Sequence, residues 1–111
     1  MEIKLEQAGK VMVVVVLDKK LDHSNIREFM VRMDQILGSS EDIAVDAEKL
    51  EFIDSSGFSG FATILDHVRE KRGRFCIFNV QEDVKDALHM VRLERLMNIY
   101  NSRQEALDSF E

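Results

Sequence analysis

Residues 50–61 read Leu50-Glu51-Phe52-Ile53-Asp54-Ser55-Ser56-Gly57-Phe58-Ser59-Gly60-Phe61, an apolar pair followed by an acid, two hydroxyls and a glycine. Beyond this stretch Phe58, Phe61, Ile64, Leu65 and Val68 recur at the spacing of one helix face, and Gly73 closes the pattern. Before it, Ile43–Asp46 reads as a short strand. The stretch is therefore a junction between an apolar β segment and a helix. That change of period decides the fold class as α/β.

The same alternation extends outward in both directions. Ile3 and Leu5 share one face of an N-terminal strand, and "AGK" at 8–10 turns into the β-branched run Val11–Leu17, a strand covered on both faces. Ser24 or Asn25 caps a first helix whose apolar side is Ile26, Phe29, Met30, Met33, Ile36 and Leu37, and Gly38 stops it. After the second helix, from Ser56 to about Arg72, "RFCIFNV" is another buried strand. A third helix spans about Glu82–Arg92 with Val84, Leu88 and Val91 inward, and a short strand follows near Asn98–Tyr100. Ser102 and Glu105 form a capping-box pair before a last helix that buries Phe110. Two helical crossovers join parallel strands. The expectation is α/β: a small mixed β-sheet, with an N-terminal antiparallel hairpin and the remaining strands parallel, packed with about four helices.

The 111 residues suit one domain, 1–111, and 45% hydrophobic with 32% charged residues suits a soluble globular chain. The net charge of −6 argues against nucleic-acid and anionic-membrane partners. The acidity sits in the first half: residues 1–55 carry 7 Lys and Arg against 12 Asp and Glu, while residues 56–111 carry 8 against 9. A single cysteine, Cys76, excludes an internal disulfide and points to a reducing cytoplasm. The longest apolar run is too short to span a bilayer, and the N-terminus lacks the pattern of a signal peptide.

Several chemistries compete for the Asp54–Gly57 junction. Helix capping needs one small polar residue, and an acid, two hydroxyls and a glycine stand here. A hydrolase elbow needs G-x-S-x-G, but Phe61 occupies the place of the last glycine, and neither His67 nor His89 has an evident route to a hydroxyl. The glycine and lysine spacing of a phosphate-binding loop is missing. A phosphoaspartate receiver needs an acidic pair that Asp18 and Asp22 are too far apart to make, and no lysine follows Lys85. His23, His67 and His89 show no ligand spacing, so no metal and no cofactor are expected. Modification of Ser55 or Ser56 fits: phosphate would bring about −1.5 to −2 charges to a helix N-terminus, where the free N–H groups and the macrodipole tolerate an anion. From the residues alone, capping and a modifiable serine both stand.

"LDHSN" at 21–25 and "LEFIDSSGFSGF" at 50–61, with "EDVKDALHMVRLERLMNIY" later in the chain, resemble the STAS domains of bacterial anti-sigma factor antagonists over essentially the whole length. The resemblance implies that Ser55, directly after Asp54, is the residue phosphorylated by a partner that is both anti-sigma factor and serine kinase. It also implies that Asp22 lies beside that serine, and that the unphosphorylated form binds the kinase and frees the sigma factor. A serine phosphatase would then reset phospho-Ser55, and the domain itself would catalyse nothing. The implied partner surface comprises Asp22, His23, Ser24, Asp54, Ser55, Ser56, Gly57 and Phe58. The chain departs from the usual pattern at Lys19-Lys20, where a Gly–acid pair is common, and at Ser59, where Gly or Ala is common. A STAS-type scaffold or ligand-binding module without phosphate control is the alternative. The oligomeric state stays open between monomer and weak dimer.

Overall fold

A computed structural model describes all of residues 1–111. Strand β1 (Ile3–Ala8) pairs antiparallel with β2 (Val11–Val16), and Gly9 takes a φ of +61° at the first position of the two-residue turn between them. Three crossovers follow, where the sequence suggests two: α1 (Ile26–Leu37) to β4 (Asp42–Asp46), α2 (Ser55–Glu70) to β6 (Phe75–Phe78), and α3 (Glu82–Met90) to β7 (Asn98–Tyr100). The short pair β3 (Lys20–Leu21) and β5 (Phe52–Ile53) interrupts the first two connections, and α4 (Arg103–Asp108) ends the chain. The main sheet has the order β1-β2-β4-β6-β7, parallel from β2 onward.

All three crossovers step the same way across the sheet, so the right-handed rule places α1, α2 and α3 on one face. The alternation along β2 follows. Val14 and Val16 join Phe29, Met33, Phe61, Ile64, Val84 and Leu88 in the larger core, while Val11 and Val13 pack on the other face with Ala44, Cys76, Phe78 and Ala106 of α4. Phe29 meets Phe61 edge-to-face at 6.1 Å between ring centres, which locks α1 to α2. On the far face Arg74 sits 5.1 Å from the centre of the half-buried Phe110 ring and donates to the Phe110 carbonyl.

Five local expectations are corrected. Leu5 shares the inner face with Ile3 but is 44% exposed, because β1 is the sheet edge. Phe52 of the apolar pair is 54% exposed, because β5 pairs only with β3 and turns Ile53 alone inward. Val91 lies beyond the end of α3 and is exposed. Asn25 occupies the N-cap position of α1 without capping: its side chain accepts from the Asp22 amide and donates to the Lys20 carbonyl. Gly73 does not end α2 by a left-handed turn; Arg72 takes that conformation, with φ +60°. Gly73 is required because a Cβ there would lie 1.9 Å from the Glu41 carbonyl oxygen.

Candidate functional site: two Asp-x-Ser turns side by side

The two-residue ribbon β3–β5 builds the site. Its strands run parallel, Lys20 opposite Phe52 and Leu21 opposite Ile53. Each strand then leads into an Asp-x-Ser turn: Asp22-His23-Ser24 ahead of α1, and Asp54-Ser55-Ser56 at the start of α2. The His23 amide reaches Asp54 across the ends of the two strands, so the two turns lie side by side.

The two turns close in the same way. Asp22 Oδ1 accepts from the Ser24 amide at 2.9 Å and the Ser24 hydroxyl at 2.6 Å. Asp54 Oδ1 accepts from the Ser56 amide at 3.0 Å and the Ser56 hydroxyl at 2.6 Å, and also from the Gly57 amide at 3.2 Å. Asp54 is thus the true cap of α2, satisfying free N–H groups of the first turn. Its second oxygen, Oδ2, accepts from the His23 amide at 3.1 Å and lies 3.5 Å from His23 Nδ1. One carboxylate therefore ties the start of α2 to the loop before α1.

These bonds set the charges. The Ser56 hydroxyl foremost, with the Gly57 and His23 amides, brings the Asp54 carboxyl down to about 2. The Ser24 hydroxyl and amide hold the Asp22 carboxyl below the usual carboxylate range, with Lys20 Nζ adding to this from 3.7 Å. Both aspartates are ionised at neutral pH. Asp22 is buried, a placement for a carboxylate that the Ser24 bonds offset.

The two serines of the junction differ. The Ser56 hydroxyl is spent on Asp54, whereas Ser55 is the exposed first residue of α2 and its hydroxyl takes no part in this network. The candidate residues Asp22, His23, Ser24, Asp54, Ser55 and Ser56 come together at this edge. Gly57 is buried beneath it: a Cβ would lie 2.5 Å from Ile53 Cγ1 and 2.8 Å from the Leu21 carbonyl oxygen, so the glycine lets α2 sit down on the ribbon. Phe58 is half-buried against the main core. Ser59 lies inside α2 rather than on a strand-to-helix turn, and His67 and His89 are exposed on α2 and α3. An elbow nucleophile has no counterpart in that arrangement.

Two elements escaped the reading of the sequence. The ribbon is too short to leave a strand pattern, and the Asp54-to-His23 link bridges 31 positions. A signal was present in the repeated apolar-Asp-x-Ser of Leu21–Ser24 and Ile53–Ser56.

The STAS domain family matches residues 2–106 of the chain. The anti-sigma F factor antagonist of Paenibacillus polymyxa is 27% identical over 113 residues, covering 100% of this chain and 96% of that protein. An anti-sigma-factor antagonist (STAS) domain protein from Planctomyces limnophilus superposes with a TM-score of 0.88 at 18% identity, over 96% of each chain. The Bacillus cell fate determinant SpoIIAA in its phosphorylated form superposes with a TM-score of 0.74 at 20% identity, over 99% of this chain and 100% of that one. With a family match that leaves out only the first residue and the last five, and with this fold, the chain belongs to the STAS domain family.

Proposed function

We propose that this chain is a cytoplasmic anti-sigma factor antagonist, residues 1–111 acting as one domain, and that phosphorylation of Ser55 switches it off. Unphosphorylated, it binds an anti-sigma factor that is also a serine kinase and so releases a sigma factor; a serine phosphatase restores it. It works by binding and not by catalysis. The observation that carries this reading is the division of labour at the junction: Ser56 is bonded to Asp54 at 2.6 Å, while Ser55 is exposed and uncommitted. A kinase reaching the edge meets one free hydroxyl. The antagonist named for Paenibacillus polymyxa and the phosphorylated SpoIIAA structure support the same assignment.

The physics of such a switch is local. Phosphate on Ser55 would stand at the N-terminus of a 16-residue helix, which favours an anion, so the fold would persist. The surface would change instead. Beside two ionised aspartates, a further −1.5 to −2 charges would repel any carboxylate docked there. At about 6 Å and an effective dielectric of about 20, each such pair of unit charges costs about 3 kcal/mol. That is enough to lower an affinity by about a hundredfold. The partner surface on this reading is Asp22, His23, Ser24, Asp54, Ser55 and Ser56, with Phe58 at its border and Gly57 shaping it from below.

The test is mass spectrometry of the protein from its native cells, followed by incubation with ATP and an anti-sigma factor kinase isolated from the same cells. Phosphate is expected on Ser55 and on no other residue, with Ser55→Ala unmodified and still bound and Ser55→Asp released. Phosphate on Ser56, or tight binding by Ser55→Asp, would overturn the assignment. A second reading, a STAS-type module without phosphate control, draws on Lys20. This cation sits on β3, 3.7 Å from Asp22, and would weaken the repulsion a phosphate creates.

A further inference from the structure

Away from the Ser55 edge, the end of α3 and the turn after it carry the largest concentration of uncovered apolar side chains. Met90 is 84% exposed, and Val91 and Leu96 are each 48% exposed. Leu96 also lines an open groove of about 200 Å³ together with Leu65, Val68, Phe75, Met97 and Phe110. The only charged residues lining that groove are Arg69 and Arg74, and no acid does.

The charge here is opposite to that of the chain as a whole. Arg92 and Arg95 are exposed among the apolar side chains, and Arg69 reaches over from α2 to donate to the Leu96 carbonyl at 3.0 Å. Arg74 is met by Asp42 at 3.6 Å, but Arg69, Arg92 and Arg95 have no carboxylate partner within the chain. Glu94, the one acid of the turn, has a carboxylate oxygen shut away from solvent. Arg69, Arg92 and Arg95 thus outnumber the single Glu94 beside an apolar surface on a protein of net charge −6. Arg92 also holds φ +62°, a conformation a glycine adopts without cost.

We propose that this surface docks a partner-protein segment in which apolar side chains alternate with carboxylates, an apolar side chain entering the groove beside Leu96 and the carboxylates meeting Arg69, Arg92 and Arg95. The charges select this occupant over a second copy. A two-fold dimer through the patch would oppose Arg92 and Arg95 to their own images, and a few exposed side chains fall well short of the roughly 800 Å² per partner of a stable dimer. The site is separate from the Ser55 edge: Arg69 lies near the C-terminal end of α2 and Ser55 at its start, about 21 Å along the helix at about 1.5 Å per residue. It goes beyond the switch proposed above and does not depend on it.

The experiment uses the full ¹⁵N-labelled chain. It is titrated with a short amphipathic peptide of Leu, Phe and Glu, with the same peptide carrying Lys in place of Glu, and with phosphatidylglycerol vesicles. The Glu peptide is expected to shift the amides of Met90–Met97 and those lining the groove, and the Lys peptide to leave them unmoved. Leu96→Glu and Arg95→Glu, both at exposed positions, should each weaken the Glu peptide by about tenfold or more. Arg92→Gly relieves the left-handed residue, so it should weaken binding while raising the melting temperature, a combination that loss of folding cannot produce. Ser55→Asp should bind the peptide as tightly as the unmodified chain. Equal binding of the Lys peptide, shifts centred on Ser55, failure of the Glu peptide to bind, or variants that bind normally would each overturn the proposal. Vesicle binding without peptide binding would assign the patch to a lipid surface and overturn it too.

Discussion

Gly57 and Gly60 stand one turn apart on the buried side of α2, and alanine at each should separate a rigid contact from a yielding one. Both substitutions gain the helix propensity that glycine lacks, up to about 1 kcal/mol. What the new methyl meets differs. At Gly57 it would lie 2.8 Å from the Leu21 carbonyl oxygen and 2.5 Å from Ile53 Cγ1, that is, against the backbone of β3 and the inward side chain of β5. The Leu21 carbonyl also accepts the Asp54 amide, so the ribbon cannot give way without loosening the cap of α2. At Gly60 it would meet Ile26 Cδ1 at 2.7 Å and Met30 Sδ at 3.3 Å, the ends of half-buried, flexible side chains. Overpacking of an unyielding contact costs about 1–3 kcal/mol. The propensity terms largely cancel in the comparison, leaving Gly57→Ala less stable than Gly60→Ala by about 1–3 kcal/mol. In a chain of this length that is a gap of about 4 °C for each kcal/mol. Urea unfolding of both variants measures it, and Gly57→Ala should also move the amide resonances of His23 and Ser24. If Gly60→Ala costs as much as Gly57→Ala, the tight contact is between α1 and α2 and the reasoning about the ribbon fails.

Other perturbations test the remaining parts of the scaffold. Phe61→Ala removes a ring that is 1% exposed and packed on Phe29 and Phe75, and calorimetry should show a loss of about 3–5 kcal/mol; a loss under about 1 kcal/mol would mean the core collapses around the void. Gly73→Ala should be more disruptive than Gly57→Ala, because the methyl would overlap the Glu41 carbonyl oxygen, and near-normal expression and melting would contradict that contact. The pH dependence has a definite sign. The Asp54 carboxyl lies at about 2 when folded and near the ordinary 3.9 when unfolded, so its ionisation stabilises the fold fully above about pH 4. That contribution is lost as the pH falls through about 2. The melting advantage of the natural protein over Asp54→Asn should therefore hold from pH 7 to about 4 and shrink below it; an advantage that persists unchanged at pH 2 would mean that charge is not its source.

The elements legible in the sequence are those with enough length to show a period. The hairpin, α1, α2, β6 and the capping box of α4 each declare themselves within a few residues of where they occur, and in α4 Ser102 accepts from Glu105 as its spacing implies. The misreadings have two causes. Leu5, Phe52 and Val91 are apolar, and an apolar residue is expected inside; all three lie at an edge or an end, where the chain runs out of neighbours to cover them. Asn25 and Gly73 carry the right residue type for a cap and a stop. Each is instead fixed by something distant in sequence or outside its helix: the Lys20 carbonyl for Asn25 and the Glu41 carbonyl for Gly73. At the candidate site the residue types singled out Asp54–Gly57 and the family resemblance added Asp22, His23 and Ser24, but which serine is free is a matter of hydrogen bonding. Asp54 takes one neighbouring hydroxyl and leaves the other, and nothing in D-S-S-G distinguishes them by type.

That asymmetry also explains how a charge placed on this edge could act on a partner without acting on the fold. Asp22 and Asp54 already have their donors: Ser24 for one, and Ser56, Gly57 and His23 for the other. A phosphate on Ser55 would have no need to displace any of them, because the Ser55 hydroxyl holds none. Phosphate on Ser56 would have the opposite effect. It would remove the 2.6 Å bond to Asp54, set a dianion against that carboxylate and undo the link between α2 and the loop before α1. A switch at Ser56 would therefore register as a loss of melting temperature, and a switch at Ser55 as a loss of binding with the melting temperature nearly unchanged. Thermal unfolding of the phosphorylated protein beside its binding curve distinguishes the two serines by their physics, independently of where the fragment masses place the phosphate.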